Sequence, residues 1–398
     1  IQGASMRVMR QGAIAIAILG VVTAGVAAEG LDVTVKAPGI TVYGQSIPTG
    51  DLQTELDQLK EELETDEDLQ KFTDQTDLAR AFANAGAAST HLATQRSFSD
   101  YRMFALVVGS GAAIAAPGTS AGAIEDSLTD FEDEGDAYFG AAIQPITVSF
   151  GVNLSRWVDR LRVNGKFGYV HLAEGDLVDD ISFTSTTIGV GADYQIIGTR
   201  SIAAGVLRWR GVSLGSGINY QSNKTEISVE VQEEAFSESV TFDDFGFSDT
   251  QAQAAGYDDA EAELGSLTVS PTLGATVESR SWSIPLEAST GLRVLYLFDF
   301  NVGAGVDIAL GSSEVLFGAE SEIDFEGSNA EVEENIEVDP GSVDLGVSTD
   351  GNPQFLRPRL TAGVGLNLGP VKVDVPLMYY LDIDGPTAMV GVNLGIVW

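Results

Sequence analysis

The chain has no cysteine among its 398 residues and only two histidines. The absence of cysteine excludes a disulfide framework, a thiolate metal site and a lipid-modified cysteine. Lysine is also scarce: six of the 21 basic residues are lysine, against 58 acidic residues. The net charge of −37 argues against nucleic acid as a partner, because phosphates would be repelled. An acid-rich, lysine-poor composition is also typical of proteins from salty habitats, which is an alternative to a cation-binding role.

Long apolar runs are missing as well. No segment beyond the N-terminal region approaches the roughly 18–20 residues of a membrane helix. The N-terminal region has a basic stretch at 6–10 and a short apolar run at 12–26, followed by small residues up to Ala28. Residues 1–28 are therefore predicted to be a signal peptide for export, cleaved near Ala28, with 1–5 as an upstream extension. An N-terminal membrane anchor is the less favoured alternative.

The last ten residues alternate strictly and stop at an aromatic side chain. One face would carry Val390, Val392, Leu394, Ile396 and Trp398, and the other face Gly391, Asn393 and Gly395. Successive side chains of a strand point to opposite faces, so one face is apolar and the other small or polar. This pattern is typical of a wall between lipid and water.

A chain that ends in such a strand resembles the bacterial outer-membrane β-barrel family. The resemblance covers roughly residues 101–398. It implies that outer-membrane lipid surrounds the barrel and that the barrel-assembly machinery recognises the terminal strand ending at Trp398. The predicted location is accordingly the outer membrane.

Similar alternating runs fill the chain from about Tyr138 onward, separated by turn residues. Several runs reach the roughly nine to eleven residues that a bilayer requires, longer than the five or six residues typical of a soluble β-sandwich. We predict a closed antiparallel up-and-down β-barrel of about 12 strands, with 14 possible, over residues 101–398. Ser279-Arg280-Ser281 and Leu368-Gly369-Pro370 are predicted to be short periplasmic turns.

The alternation also sorts the charged and aromatic side chains of the strands. A charge facing lipid at mid-bilayer costs roughly 2–4 kcal/mol, so charges in the inward phase indicate a polar lumen. The predicted lumen-lining charges are Arg162, Lys166, Glu287, Arg293, Asp299, Asp307, Arg357, Arg359, Lys372 and Asp374. They would serve either as a selectivity lining or as a salt-bridged filling. The predicted interface aromatics are Trp209, Trp282, Tyr379 and Trp398, with Arg208 and Arg210 beside the first.

Acidic residues cluster in two stretches that lack Lys and Arg, around 226–263 and 314–350. Like-charged blocks repel one another and stay solvated, so these stretches are predicted to be long external loops or strand extensions. Bacterial barrels have short periplasmic turns and longer extracellular loops. Divalent cations are possible partners of these acidic loops.

Residues 29–100 form a different kind of segment, predicted to be periplasmic or to fold back into the lumen as a plug. Leucines at 52–63 recur at helical spacing, and a second helical stretch follows around 69–82. The small-residue segment 82–96 with the strand after it resembles spirochaete-type outer-membrane proteins. A small-residue N-terminal segment before a barrel is also similar to the long-chain fatty-acid transporter family, with fourteen strands and an N-terminal hatch, although its Asn-Pro-Ala hatch motif is missing from this sequence.

The sequence favours neither catalysis nor a bound cofactor. His91 and His171 show no partner at a recognisable spacing and are expected at a surface or interface. Ser213 lies in a Gly-x-Ser-x-Gly pattern, but alternation continues through it, so it is expected to face the lumen. The acidic run at 130–136 resembles the start of a calcium loop and lacks the closing Glu, so no metal site is predicted.

Two hypotheses of function follow. In the first, the barrel is a channel or transporter for small solutes or hydrophobic compounds, with the N-terminal segment as a hatch. In the second, a closed barrel displays acidic loops for adhesion or cation-bridged surface packing and transports nothing. An outer-membrane hydrolase is a distant third, to be dropped if Ser213 and His171 lie far apart or on opposite faces.

Overall fold

The computed structural model describes residues 30–36, 39–42, 45–46, 60, 76–91, 101–116, 139–173, 181–202, 206–230, 236–243, 248–254, 257–328, 336–339 and 341–398. The predicted signal peptide and nearly all of the leucine-rich helix at 52–63 lie outside these residues. Within them, no helix combines the length and apolarity needed to cross a bilayer. The chain divides into two compact units, one made of 1–75, 227–275 and 316–349, the other of 76–226, 276–315 and 350–398.

The described elements follow one another along the chain as a long run of strands interrupted by two helices. The first half contains β1 (Gly30–Lys36), β2 (Gly39–Val42), β3 (Gln45–Ser46), α1 (Thr76–Ser89), β4 (Phe104–Ala115), β5 (Gly140–Asn153), β6 (Leu161–Leu172), β7 (Ile181–Ile197), β8 (Arg200–Ile202) and β9 (Leu207–Glu230). The second half contains β10 (Phe236–Thr241), α2 (Asp249–Ala254), β11 (Glu263–Val294), β12 (Phe298–Gly327), β13 (Ile336–Asp339), β14 (Gly341–Gly351), β15 (Leu356–Leu368), β16 (Val371–Tyr380) and β17 (Thr387–Val397).

The larger unit is a closed barrel. Its ring has ten strands in the described part of the chain, in the order β4, β5, β6, β7, β9, β11, β12, β15, β16, β17. Each of these strands pairs with the next, and β17 pairs antiparallel with β4, from Val397 beside Ala105 to Thr387 beside Ala115. The predicted fold class, an antiparallel outer-membrane β-barrel, is confirmed.

The ring has ten strands where about 12 were predicted, in part because the strands predicted at 267–277 and 282–296 form one long strand. Strand β11 is 32 residues long and β12 is 30 residues long. The predicted turn at Ser279-Arg280-Ser281 is therefore wrong: these residues lie inside β11. The predicted turn at Leu368-Gly369-Pro370 joins β15 to β16, with Gly369 at a φ of +77° that favours glycine.

The two ends of the ring differ in their longest connections, which reach nine residues at one end (198–206) and 32 residues at the other (231–262). Short connections at 154–160, 198–206, 295–297 and 369–370 share one end, which we call the turn end, with the start of β4 and the end of β17. The opposite end, which we call the loop end, has the connections 116–139, 173–180, 231–262, 328–355 and 381–386. In bacterial barrels the short turns are periplasmic and the longer loops extracellular.

Outward and inward faces of the strands have opposite character. Along β5, Ile146, Val148 and Phe150 are 66%, 45% and 50% exposed, whereas the alternate residues Thr147 and Ser149 are buried. The same inversion runs through the other strands of the ring, where Val190, Val302 and Val392 are also exposed. A soluble fold would bury these residues, so lipid is the solvent that the outer surface fits.

The helix α1 lies inside the ring. Its buried alanines pack with Ala113, Ala142, Met378 and Met389, which belong to β4, β5, β16 and β17. Almost every side of the helix is covered, which is typical of a fully enclosed helix rather than a surface one. The sequence Thr76–Ser89 favours this arrangement, because alanine has the highest helix propensity and a small cross-section. Eight strands leave room for wall side chains alone, so a ring of ten can hold a slender helix.

The smaller unit is also a β-structure. Strand β1 pairs antiparallel with β14, from Gly30 beside Ser348 to Lys36 beside Ser342. Strand β2 pairs with β13 and with β3 in a separate three-stranded sheet. Strand β10 pairs with the first part of β11. The acidic stretches predicted as loops or strand extensions thus contribute β-strands in their described parts.

Candidate functional site

The ten side chains predicted to line the lumen all lie on the inward face of the ring. Their exposure ranges from 1% for Asp307, Arg357 and Arg359 to 8% for Arg162. Buried charges require partners in a medium of low dielectric constant. The lumen supplies such partners at two levels, one around α1 and the other near the turn end.

Around α1, an arginine bridges two carboxylates of the wall. Arg359 Nε donates to Asp307 Oδ1 at 2.8 Å, and Arg359 Nη2 lies 2.9 Å from Glu287 Oε2. Tyr380 Oη donates to the other oxygen of Asp307 at 2.8 Å. His91 Nε2, just beyond the end of α1, lies 2.9 Å from that same oxygen. The network thus connects the helix segment to strands β11, β12, β15 and β16.

A second arginine holds α1 directly. Arg357 makes a two-pronged ion pair with Asp382, with Nε to Oδ1 at 3.0 Å and Nη2 to Oδ2 at 2.6 Å. Its Nη1 donates to the Asn84 carbonyl of α1 at 2.7 Å. The guanidinium also lies over the Tyr380 ring, 4.4 Å from the centroid. The planar guanidinium of Arg357 therefore contacts Asp382 in the connection 381–386, Tyr380 in β16 and the backbone of α1.

Further polar contacts fix the helix along its length. The Gln354 N–H donates to Asn84 Oδ1 at 2.9 Å, and Lys166 Nζ donates to the Thr90 carbonyl. At the end of the helix, hydroxyls of Ser89 and Thr90 satisfy the carbonyls of Gly86 and Ala87, both at 2.9 Å. We call α1 with these wall contacts the helix layer.

The wall also approaches the backbone of α1 closely at two glycines. A Cβ on Gly140 of β5 would overlap the backbone of Ala81 and Phe82, and one on Gly351 would overlap Ala79 and Arg80. The helix can therefore occupy this position only because the wall has glycine at these two points. Gly86 of the helix makes the reverse contact, where a Cβ would lie 3.3 Å from the Cβ of Ser279.

Near the turn end, the lumen has a second set of contacts, which we call the turn layer. Arg293 pairs with Asp299 through two hydrogen bonds of 2.9 Å, and Arg210 Nη1 lies 4.0 Å from Asp299 Oδ1. Arg210 Nη1 also donates to Asn301 at 3.3 Å. A cavity of about 30 Å³ lies beside Arg210, Asn301 and Asp374. That volume holds one or two water molecules.

The placement of Arg210 corrects one prediction and adds a lumen residue. Arg210 was expected beside Trp209 at the membrane interface, but its side chain is buried in the lumen. Gly211, with a φ of +81°, interrupts the regular alternation next to it, and this reverses the face that the local pattern indicates.

Tyr101, which precedes β4 at the turn end, is a further buried group. Its ring lies 5.9 Å from the guanidinium of Arg162, and burial raises the pKa of its phenol.

The four predicted interface aromatics lie on the outward face or at the turn end. Trp282 is exposed, and its ring centroid lies 4.8 Å from that of Tyr220. Trp398 stacks on Phe104 at 4.4 Å. Trp209 donates from Nε1 to Thr290 at 2.9 Å, and Tyr379 is half-buried. Aromatics at both ends of the apolar band are typical of outer-membrane barrels.

Histidines and hydroxyls do not form a hydrolytic site in the described residues. His91 is buried rather than at a surface, and Ser283 Oγ lies 2.8 Å from its Nε2. Asp307 contacts that same nitrogen, whereas a triad needs the two partners on different ring nitrogens. His171 is exposed on the outward face of β6, whereas Ser213 lines the lumen cavity. The hydrolase hypothesis is therefore dropped.

In the described part of the chain, no group of three or more His, Asp or Glu side chains is placed to bind a metal ion. The acidic run at 130–136 lies outside the described residues.

The ring, its lipid-facing surface and its polar lumen define an outer-membrane β-barrel. A model of the Lsa36-like family matches residues 33–398, and the chain therefore belongs to the Lsa36-like family. No curated protein matches the chain.

Three solved structures to which the chain is similar are outer-membrane proteins of low sequence identity. The translocator domain of autotransporter NalP from Neisseria meningitidis is 9% identical over 80% of this chain and 100% of that chain, with a TM-score of 0.29. The toluene transporter TbuX from Ralstonia pickettii is 9% identical over 80% of this chain and 96% of that one, with a TM-score of 0.21. A FadL homologue from Pseudomonas aeruginosa is 10% identical over 80% of this chain and 94% of that one, with a TM-score of 0.21. Likenesses with such TM-scores carry no argument about function.

Proposed function

We propose that the barrel is a gated outer-membrane channel for small polar solutes, and that α1 is the hatch that closes it. The observation that carries the proposal is the contrast between the helix and the wall around it. The helix is slender, with six alanines among its 14 residues, and packs partly on Ala and Met side chains of the wall, whereas ion pairs and hydroxyl groups line the wall around them.

The wall chemistry supports a removable helix rather than a permanent filling. A permanent protein core is best made of aliphatic side chains that interdigitate at high packing density. The ion pairs of Arg359 with Asp307 and of Arg357 with Asp382 join wall residues to one another, and the helix segment adds the Asn84 carbonyl to the second pair and His91 to the first. They would persist and accept water after the helix leaves, so the empty lumen would be a stable polar pore.

The polar contacts between the helix segment and the wall are each of modest energy, and besides the contacts of His91 with Asp307 and Ser283 they include three hydrogen bonds from the wall. Three wall donors reach the helix segment at Asn84 and Thr90, from Arg357, Gln354 and Lys166. A hydrogen bond contributes about 0.5–1.5 kcal/mol net, or about 1.5–3 kcal/mol when one group is charged. Such contacts hold a helix in place while leaving its exit within reach of an applied voltage or a ligand.

The charge of the lining predicts the preferred solute. Among the buried charged side chains of the described residues, seven cations face five carboxylates, which leaves +2. The whole chain, by contrast, carries −37. The open lumen is therefore expected to favour anions over cations.

Planar-bilayer recordings with a wedge variant test the proposal. The valine of Gly140→Val would overlap the backbone of Ala81 and Phe82 and displace α1. We therefore expect frequent anion-selective openings from this variant, whereas the wild type should be mostly closed. Gly165→Val is the matched control, because the nearest atom to its Cβ is 3.8 Å away. Heat-modifiable gel mobility would establish that both variants are folded barrels. Folded Gly140→Val barrels that pass no more current than the control would overturn the proposal.

A second candidate function is a closed barrel that displays its acidic segments and transports nothing. The filled lumen favours it, since α1 is covered on nearly all sides. It predicts no current from any folded variant, and loss of adhesion or cation-dependent packing when 226–263 or 314–350 is deleted.

A further inference from the structure

The turn end of the ring carries positive charge on one side. Residues 101–103, 154–160 and 198–208 contain five arginines and one acidic residue, which leaves +4 in a chain whose net charge is −37. These segments precede β4, join β5 to β6 and lead from β7 into β9, and the five strands are neighbours in the ring. We call the five exposed arginines the arginine arc: Arg102, Arg156, Arg160, Arg200 and Arg208.

The other side of the turn end has a different surface. The connections 295–297 and 369–370, between β11 and β12 and between β15 and β16, contain no charged residue. Leu295 and Tyr296 are exposed there. In the described residues, exposed positive charge at the turn end is thus confined to the side from β4 to β9.

The arginine arc also differs from the other solvent-accessible cations that the structure describes in the same unit. Each of those has an acidic partner; the pairs are Arg80 with Asp77 at 3.0 Å, Lys224 with Glu226 at 2.6 Å and Arg280 with Glu278 at 3.2 Å. In the arc, the described residues supply an acidic partner to Arg160 alone, whose Nε lies 3.3 Å from Asp159. Acidic side chains are plentiful in this chain, so four guanidinium groups without one favour a partner from outside it.

Exposed apolar side chains stand among the arginines. Met103 is 60% exposed, and Trp157, next to Arg156, is 75% exposed. Arg200 lies directly opposite Trp209 in the pair of β8 with β9, so the two side chains share a face of that hairpin. Cations mixed with aromatic and aliphatic side chains at the edge of an apolar band are typical of the level of lipid headgroups.

We propose that the arginine arc binds the headgroup phosphates of anionic phospholipids in the bilayer leaflet at the turn end. A guanidinium group donates two parallel hydrogen bonds to a phosphate, and the apolar side chains between the arginines would contact the acyl chains. An acidic soluble protein would match the charge but would leave those apolar side chains in water. Anionic lipid is therefore expected on one side of the barrel, from β4 to β9.

Native mass spectrometry of the full-length protein in detergent tests the proposal, with phosphatidylglycerol or phosphatidylcholine of the same acyl chains added. Phosphatidylglycerol should bind more tightly. Arg156→Gln and Arg200→Gln should each weaken its binding about fivefold, and the double variant about 25-fold. Arg280→Gln is the matched control, because this exposed arginine pairs with Glu278 and lies outside the arc. Heat-modifiable gel mobility would establish that every variant is a folded barrel.

Two results of this titration would overturn the proposal. One is equal binding of the two lipids by the wild type, and the other is a loss in Arg280→Gln as large as that in Arg200→Gln. Polyglutamate, added to the barrel in phosphatidylcholine nanodiscs, serves as the soluble polyanion. If it binds through Arg156 and Arg200 while phosphatidylglycerol is not preferred, the partner is an acidic macromolecule and the proposal is wrong.

Tryptophan fluorescence gives a second measurement that leaves the arginines unchanged. Phosphatidylglycerol with brominated acyl chains should quench the wild type more than equally brominated phosphatidylcholine at the same mole fraction. The excess should fall in Trp157→Phe, since this ring lies beside Arg156. Equal quenching by the two lipids would contradict lipid binding by the arc. Neither measurement depends on whether the lumen opens, so this proposal stands apart from channel activity.

Discussion

The helix layer and the turn layer of the lumen both contain arginine–aspartate ion pairs, but only the ion pair of the helix layer also contacts α1. In the turn layer, Arg293 and Asp299 pair within the wall, and a cavity large enough for water lies beside Arg210. In the helix layer, Arg357 pairs with Asp382 and also reaches the backbone of α1. The difference supports the proposal that the helix and its contacts close the lumen, since the ion pair of the turn layer is complete without the helix.

The largest expected effect compares the two arginines. Arg357→Ala would leave Asp382 buried without its cation, at a cost of about 3–5 kcal/mol in the free energy of unfolding. Arg293→Ala should cost less, because Arg210 lies 4.0 Å from Asp299 and water has access nearby. Denaturant unfolding in detergent, followed by tryptophan fluorescence, measures both.

A double variant supplies the control for this pair. Arg357→Met with Asp382→Leu removes both charges, so it should regain much of the loss of Arg357→Ala. Equal losses for Arg357→Ala and Arg293→Ala would contradict the distinction between the layers.

An intermediate effect concerns the hold on α1 alone. Asn84→Ala removes the acceptor of the Gln354 N–H and should favour release of the helix by about 1–3 kcal/mol. Ser89→Cys serves as the reporter, because the residue is fully buried until the helix leaves. In the Ser89→Cys background, maleimide labelling should accelerate by the corresponding factor of about 5–150.

The matched control is Asp77→Ala, on the same helix and largely exposed. It should leave the labelling rate nearly unchanged. If both substitutions accelerate labelling equally, the contact between Asn84 and Gln354 does not hold the helix.

The smallest expected effect lies on the lipid-facing surface. Trp282→Ala removes the ring contact with Tyr220 and should cost about 0.5–1.5 kcal/mol more than the loss of buried area. Leu286→Ala, equally exposed on the same strand, is the comparison. The free energy of unfolding in lipid vesicles measures both effects. If Trp282→Ala lowers it as much as Arg357→Ala does, the lumen contacts do not stabilise the barrel more than the lipid-facing ring contact.

The wall of the barrel was largely predictable from alternation, because lipid outside and polar groups inside force a period of two. Asp307, Arg359 and Asp374 were each placed in the inward phase by their neighbours in sequence. The terminal strand and the turn at Gly369 follow from equally local signals. Local physics therefore sufficed for these residues, but not for Arg210, where Gly211 interrupts the alternation.

The number of strands was less predictable, because the pattern changes phase inside one continuous strand. In β11 the apolar residues occupy odd positions up to Val277 and even positions from Trp282 onward. A strand that continues beyond the bilayer no longer has lipid on one face, so the reason for a constant phase is lost. Such a change has the same appearance in sequence as a turn.

The helix layer could not be predicted in detail, since its contacts join distant parts of the chain. Ser283 is 192 residues from His91, and Arg357 is 273 residues from Asn84. Of the helical stretch expected around 69–82, residues 69–75 lie outside the described residues, and the described helix continues to Ser89, because alanine-rich sequence gives little signal for where a helix ends. Asp382 lies in a connection, where no alternation indicates the direction of a side chain.

The most direct test of the central claim is a reversible lock on α1. Gly86→Cys with Ser279→Cys would place two thiols where the Cβ atoms lie 3.3 Å apart, close enough for a disulfide between helix and wall. Single-channel recording under applied voltage should detect no current from the oxidised protein and anion-selective openings after reduction. A current that is the same before and after reduction, whether present or absent, would contradict the account.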